Sequence, residues 1–139
     1  DPDAALLQGL VLTIQTKEEI TSMAMDGLDQ EVLDGLHRTL GNDDAFARII
    51  SMYLRKLPAE ISELHRHAGS GDLEQLVEQA HRLKSSTAMV GATRLAGLLA
   101  KVEGSAREGD LTAVSRWTNE SDLESTRVEG SLKARLREA

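Results

Sequence analysis

The stretch Ala80-His81-Arg82-Leu83-Lys84-Ser85-Ser86 brings together residue types that can do chemistry on one another's doorstep. Apolar positions at Leu73, Leu76, Val77, Ala80, Leu83, Thr87 and Val90 recur at helical spacing, which predicts a helix through this segment. At roughly 100° per residue, the stripe His81, Lys84, Ser85 and Ala88 lies roughly 110° away from that apolar side, so His81 is expected to be mostly exposed. An exposed imidazole is a nucleophile at neutral pH, because much of it is unprotonated. Lys84, one turn onward, sets a compact cation beside the ring, able to meet an anionic group there. Ser85 and Ala88 are small and leave room for a second protein to approach the ring. Glu78 flanks the same face, with Glu74 a turn earlier, as a candidate for docking or for holding the imidazole. Arg82 points away from His81's stripe and belongs to the docking rim. Spacing alone also fits a solvated surface histidine.

No second chemical site competes with this one. His65 and His67 are two residues apart, which on a helix aims them in different directions, and His37 lies on another element, so metal binding is not expected. Gly91 reads as a helix cap rather than a phosphate-loop glycine. A Gly-rich loop ending in Lys-Ser/Thr is absent, which argues against autophosphorylation from ATP. The formal net charge of −7 argues against a nucleic-acid surface, since that affinity rests on Lys and Arg. Zero cysteines exclude disulfides and thiolate chemistry and suit a cytoplasmic setting. The longest apolar run, Gly9 to Ile14, is far short of a membrane span, so no membrane contact is expected. The Asp1-Pro2 start suggests a piece of a longer polypeptide.

The elements that must position His81 read as helices throughout. With 40% apolar residues and only Phe46, Tyr53 and Trp117 as aromatics, the core is built from aliphatic side chains, which favours helix over sheet. Residues 1–27 are expected to form a linker or an extra amphipathic helical segment (Leu6, Leu7, Leu10, Val11, Ile14), with pairing of two chains through it as one option. Asp29 caps a short helix with Val32, Leu33, Leu36 and Leu40 inward, stopped by Gly41. Asn42 caps a longer one whose stripe is Phe46, Ile49, Ile50, Tyr53, Leu54, Leu57, Ile61 and Leu64, and which Pro58 is expected to bend or split. Gly69-Ser70-Gly71-Asp72 is a turn, and Asp72 with Gln75 resembles a capping box ahead of the His81 helix. Gly91 ends that helix. The next turns Leu95, Leu98, Leu99 and Val102 inward and runs out between Gly104 and Gly109. Asp110 caps the last helix, whose polar stretch Asn119 to Ser125 is expected to be poorly buried midway. Short connections make neighbours antiparallel, giving an all-α, up-and-down four-helix bundle with the short helix covering one end.

Ala80-His81-x-Leu83-Lys84-Ser85-Ser86, followed by Gly91-Ala92, Leu95 and Val102-Glu103, resembles the signature of the histidine phosphotransfer (HPt) family. The match is residue by residue at Ala80, His81, Leu83, Lys84, Gly91, Ala92, Leu95 and Glu103, and the resemblance covers roughly residues 28 to 138. One departure is Ser85, where many members have Gly. The resemblance implies that His81 is the phosphoacceptor, with Lys84 as its electrostatic partner and Glu78, Arg82, Ser85 and Ala88 on the face that docks receiver domains. It implies a relay intermediate rather than an enzyme, with no cofactor in this chain and Mg²⁺ on the partner receiver. A C-terminal module of a hybrid sensor histidine kinase is the expected setting. The dimerisation and phosphoacceptor domain of a histidine kinase fits less well: its His is usually followed by Glu and then Pro, whereas Arg82 follows here and no Pro comes later. A helical binding module that docks partners without being phosphorylated is the alternative.

Overall fold

The computed structural model describes residues 27–138, all of whose regular structure is helical. The amphipathic segment at residues 6–14, and with it the option of pairing two chains, lies outside the described residues. Five helices follow in order: α1 Gln30–Leu40, α2 Asp43–Ser70, α3 Leu73–Met89, α4 Thr93–Glu108 and α5 Leu111–Glu138. Helices α2 to α5 form an antiparallel bundle in which each packs on its chain neighbours and α5 returns to α2, while α1 lies across α2 and α3.

Sequence-local chemistry sets the helix starts. Asp29 accepts from the Glu31 and Val32 N–H groups, Asn42 from Ala45, Asp72 from Gln75 and Asp110 from Ala113, at 2.7–3.3 Å. Each such cap is worth about 1 kcal/mol. At Asp72 only this half of the expected capping box forms. Helix α2 runs unbroken through Pro58. Pro58 is exposed, and Leu57 and Ile61 on either side are buried in the core, so the packing outweighs one missing hydrogen bond. Helix α4 likewise continues past Gly104 to Glu108 and ends at Gly109. On α1, Leu33 is fully buried, whereas Val32 stays at the edge.

The core is mostly aliphatic, with Leu33, Ile50, Leu57, Leu64, Leu76, Leu95, Leu99, Val102, Val114 and Leu132 fully buried beside the aromatic Phe46. Tyr53 of α2 and Thr87 of α3 meet inside it through a 2.7 Å hydroxyl hydrogen bond, and burial pushes the Tyr53 phenol well above its ordinary range. Trp117 is only half-buried, with Lys101 and Arg116 over its ring at 4.2 and 4.6 Å.

The middle of α5 is buried despite its polarity. Thr118, Ser121, Glu124 and Ser125 continue the inward stripe between Val114 and Val128. Small side chains let the neighbouring helices approach, and their hydroxyls return to the backbone: Ser121 donates to Trp117 O at 2.8 Å and Ser125 to Asp122 O at 2.7 Å. Glu124 lies 3.9 Å from Arg94 and 3.6 Å from Arg127. Burial nonetheless raises its carboxyl above the usual range, the two arginines offsetting only part.

The turn between α3 and α4 is where the short helix is fastened. Gly91 has φ +77°, a left-handed conformation that side chains with a Cβ adopt at a cost. The Asp29 N–H donates to Gly91 O at 2.6 Å, and a Cβ at Gly91 would lie 2.8 Å from Asp29 O and 3.4 Å from Leu33 Cγ. Two independent constraints therefore demand glycine. Gly91→Ala is expected to destabilise the fold by about 1–3 kcal/mol from backbone conformation alone, and further through the collision with α1. Gly97→Ala, inside α4 with open space around it, should instead leave stability unchanged or raise it by up to about 1 kcal/mol. Urea denaturation of both variants checks the contrast.

Candidate functional site

Helix α3 buries Leu76, Gln79, Ala80, Leu83 and Thr87, and this leaves the opposite side of the helix facing out. His81 projects there with 57% of its side chain exposed. Its Nδ1 lies 3.2 Å from Oε1 of Glu103, which comes from α4. The same oxygen accepts from Lys84 Nζ at 3.0 Å, and the other oxygen of Glu103 accepts from Arg107 Nη2 at 2.7 Å.

Glu103 is the buried member of this group, with only 10% of its side chain accessible. Burial by itself would raise its carboxyl, but the hydrogen bonds from Arg107, Lys84 and His81 together outweigh it and bring the group down to about 2. The carboxylate is therefore ionised at neutral pH and can only accept. Nδ1 must carry the proton in this contact, so the lone pair of a neutral His81 sits on Nε2. In its neutral form the imidazole therefore turns its nucleophilic nitrogen away from Glu103.

The residues singled out in the sequence are distributed unevenly around this centre. His81 and Lys84 are brought together through Glu103. Glu78 and Arg82 line a shallow hollow in front of His81, with Val77 and Arg107. Arg82 also borders a polar cleft between α2 and α3 that includes Gln79 and Arg66. Ser85 and Ala88 are exposed along the same face, and Ser85 Oγ donates back to His81 O at 3.2 Å. Glu74 and Glu78 do not hold the imidazole: both are exposed, and no hydrogen bond joins either to His81. That position belongs to Glu103, which reaches in from the next helix.

Glu103 and Arg107 had no site role in the sequence reading. A signal existed. Glu103 falls four residues after Leu99 and three before Ala106, in line with the buried stripe of α4, and a carboxylate in a core stripe needs partners. Arg107, one turn further, lies on the same face as Glu103. The partners on α3 could not be named without knowing the register of α3 against α4.

The other histidines have local acidic neighbours: His37 faces Asp43, His65 faces Asp122 at 2.9 Å, and His67 is 3.7 Å from Glu63. No helix among the described residues is long and apolar enough to cross a membrane.

Comparison with known proteins follows the same line as the geometry. The family model of the Hpt domain matches residues 48–136, well over half of the chain. The crystal structure of histidine-containing phosphotransfer protein B from Pseudomonas aeruginosa PAO1 superposes with a TM-score of 0.75 at 25% sequence identity, covering 81% of this chain and 96% of that one. No curated protein matches the chain.

The depressed Glu103 carboxyl has a consequence for stability. A group whose folded value lies below its ordinary 4.5 stabilises the fold fully above that pH and loses its contribution as pH falls towards about 2. Wild type should therefore exceed Glu103→Gln in unfolding free energy at pH 7, and the gap should narrow steadily between pH 4.5 and 2. Denaturation curves of the two chains across that range test this; a gap that stays constant would contradict it.

Proposed function

The chain belongs to the Hpt family, and its role is histidine phosphotransfer in two-component signalling; from that premise we propose that His81 is the phosphoacceptor of a relay between receiver domains. The observation that carries this reading is the ring itself, more than half exposed and held at Nδ1 by an ionised, buried carboxylate. The donor is the phosphoaspartate of a receiver domain. Its acyl phosphate P–O bond breaks as a P–N bond forms at Nε2, the aspartate carboxylate leaves, and the ring becomes a phosphorylated imidazolium that keeps its Nδ1 proton. Glu103 stabilises that positive charge without taking the proton. Because the acceptor ring keeps its proton, the reverse step needs no new acid or base, and a second receiver aspartate can take the group onward.

Lys84 supplies the cation for the phosphoryl oxygens. It rests on Glu103 at 3.0 Å, within one helical turn of His81, so a change of rotamer brings it to the group. The receiver brings Mg²⁺ and the acidic pocket around its own aspartate, and this chain brings nucleophile, cation and docking face. Glu78, Arg82, Ser85 and Ala88 are the residues proposed to meet the receiver, in an interface of modest area as transient signalling contacts have. The chain is a phosphotransfer module rather than a kinase.

Incubation with a phosphorylated receiver should place acid-labile, base-stable phosphate on wild type and none on His81→Gln. Equal labelling of the two, or no labelling of wild type by any receiver of the source organism, would favour a docking module that is not phosphorylated. Lys84→Ala should keep its helical circular dichroism yet accept phosphate roughly a hundredfold more slowly or worse, the scale on which removing one charge-stabilising donor acts; rapid-quench transfer assays read this directly.

A further inference from the structure

Glu103 can orient His81 only if something orients Glu103. The terminal torsion of a glutamate is broad and soft, so a carboxylate held at one oxygen can tilt its plane away from the ring. Here the oxygens are divided: Oε1 accepts from His81 and Lys84, and Oε2 accepts from Arg107 at 2.7 Å. Arg107 lies on α4 four residues after Glu103 and in the last turn before Gly109, where the negative end of the helix dipole favours a cation. Arg107 also lines the hollow in front of His81.

A second requirement points to the same residue. When Lys84 turns to an incoming phosphoryl group, Glu103 loses one of its two permanent cations while remaining buried. An uncompensated buried carboxylate is strongly unfavourable. Arg107 does not share α3 with the nucleophile and has no need to move, so it can stay on Oε2 throughout.

Resting on the phosphoacceptor reading of His81, we propose that Arg107 is a positioning residue for phosphotransfer. It acts through Glu103, fixing the plane of the carboxylate so that an oxygen stays aimed at His81 Nδ1, and remaining as the counter-ion that lets Lys84 leave. An ordinary exposed ion pair at this spacing would do neither, because its loss would leave the ring untouched.

The test compares wild type, Arg107→Ala and Arg107→Lys. Nitrogen-15 NMR of the unphosphorylated chains reads the tautomer of neutral His81. Wild type should show the Nδ1–H form almost alone, Arg107→Ala a mixture with Nε2–H, and Arg107→Lys a partial return. Transfer from a phosphorylated receiver should fall roughly tenfold in Arg107→Ala, the equivalent of one lost charge-assisted hydrogen bond, and recover in part in Arg107→Lys. Arg107 is 60% exposed, so the fold should persist, as thermal unfolding would register. A wild-type tautomer in Arg107→Ala overturns the proposal whatever happens to the rate, since a slower rate alone would mean a docking contact. Failure of wild type to accept phosphate would instead count against the relay reading, and the tautomer comparison would still decide the positioning role.

Discussion

A carboxylate that sits in a core stripe and stays ionised constrains everything around it. Leaving Glu103 without partners would cost roughly 3–5 kcal/mol, a large part of the stability of a chain this size. Three donors meet it, one from its own helix and two from α3, one turn apart on the exposed face. The pairing works only if α3 and α4 keep one axial register and one rotation. That register is set on the other side of α3, where Leu76, Ala80 and Leu83 are buried, and at the Gly91 turn, whose left-handed backbone also receives the Asp29 N–H of the entry to α1. Core packing and site geometry are thus the same constraint viewed from two faces of one helix.

The placement of the reactive groups follows from this division. His81 and Lys84 face out because the bundle claims the opposite side of α3, and they are held because α4 sends a charge between them. A fully exposed histidine would exchange tautomers freely; a buried one could not be reached by a partner. The intermediate arrangement, with Nδ1 satisfied and more than half of the side chain exposed, meets both demands at modest energetic expense. It also suits the proposed relay, because the ring is stabilised as a cation by a carboxylate that is itself buried.

Much of this was legible in the sequence. Helical periodicity, four side-chain caps and the glycines after α1, α2 and α4 defined the elements, and the stripe angle put His81 outside. The resemblance at Ala80 to Glu103 supplied the phosphoryl chemistry that spacing alone left open. What could not be read were features decided between helices. Glu103 counted as a letter of a signature, although its place among Leu99, Val102 and Ala106 marked it as buried. The polar run in α5 suggested exposure, yet Ser121 and Ser125 close their hydroxyls on their own backbone and pack as small residues. Pro58 suggested a bend or a split, but with core anchors on either side α2 continues through it unbroken.

The central claim is that Glu103 retains the Nδ1 proton and so directs phosphate to Nε2 of His81. Phosphorus-31 and nitrogen-15 NMR of the phosphorylated, nitrogen-15-labelled chain identifies the bonded nitrogen through its one-bond coupling. The account predicts a single phosphohistidine coupled at Nε2 of His81. Coupling at Nδ1, or phosphate on any other histidine, would contradict it.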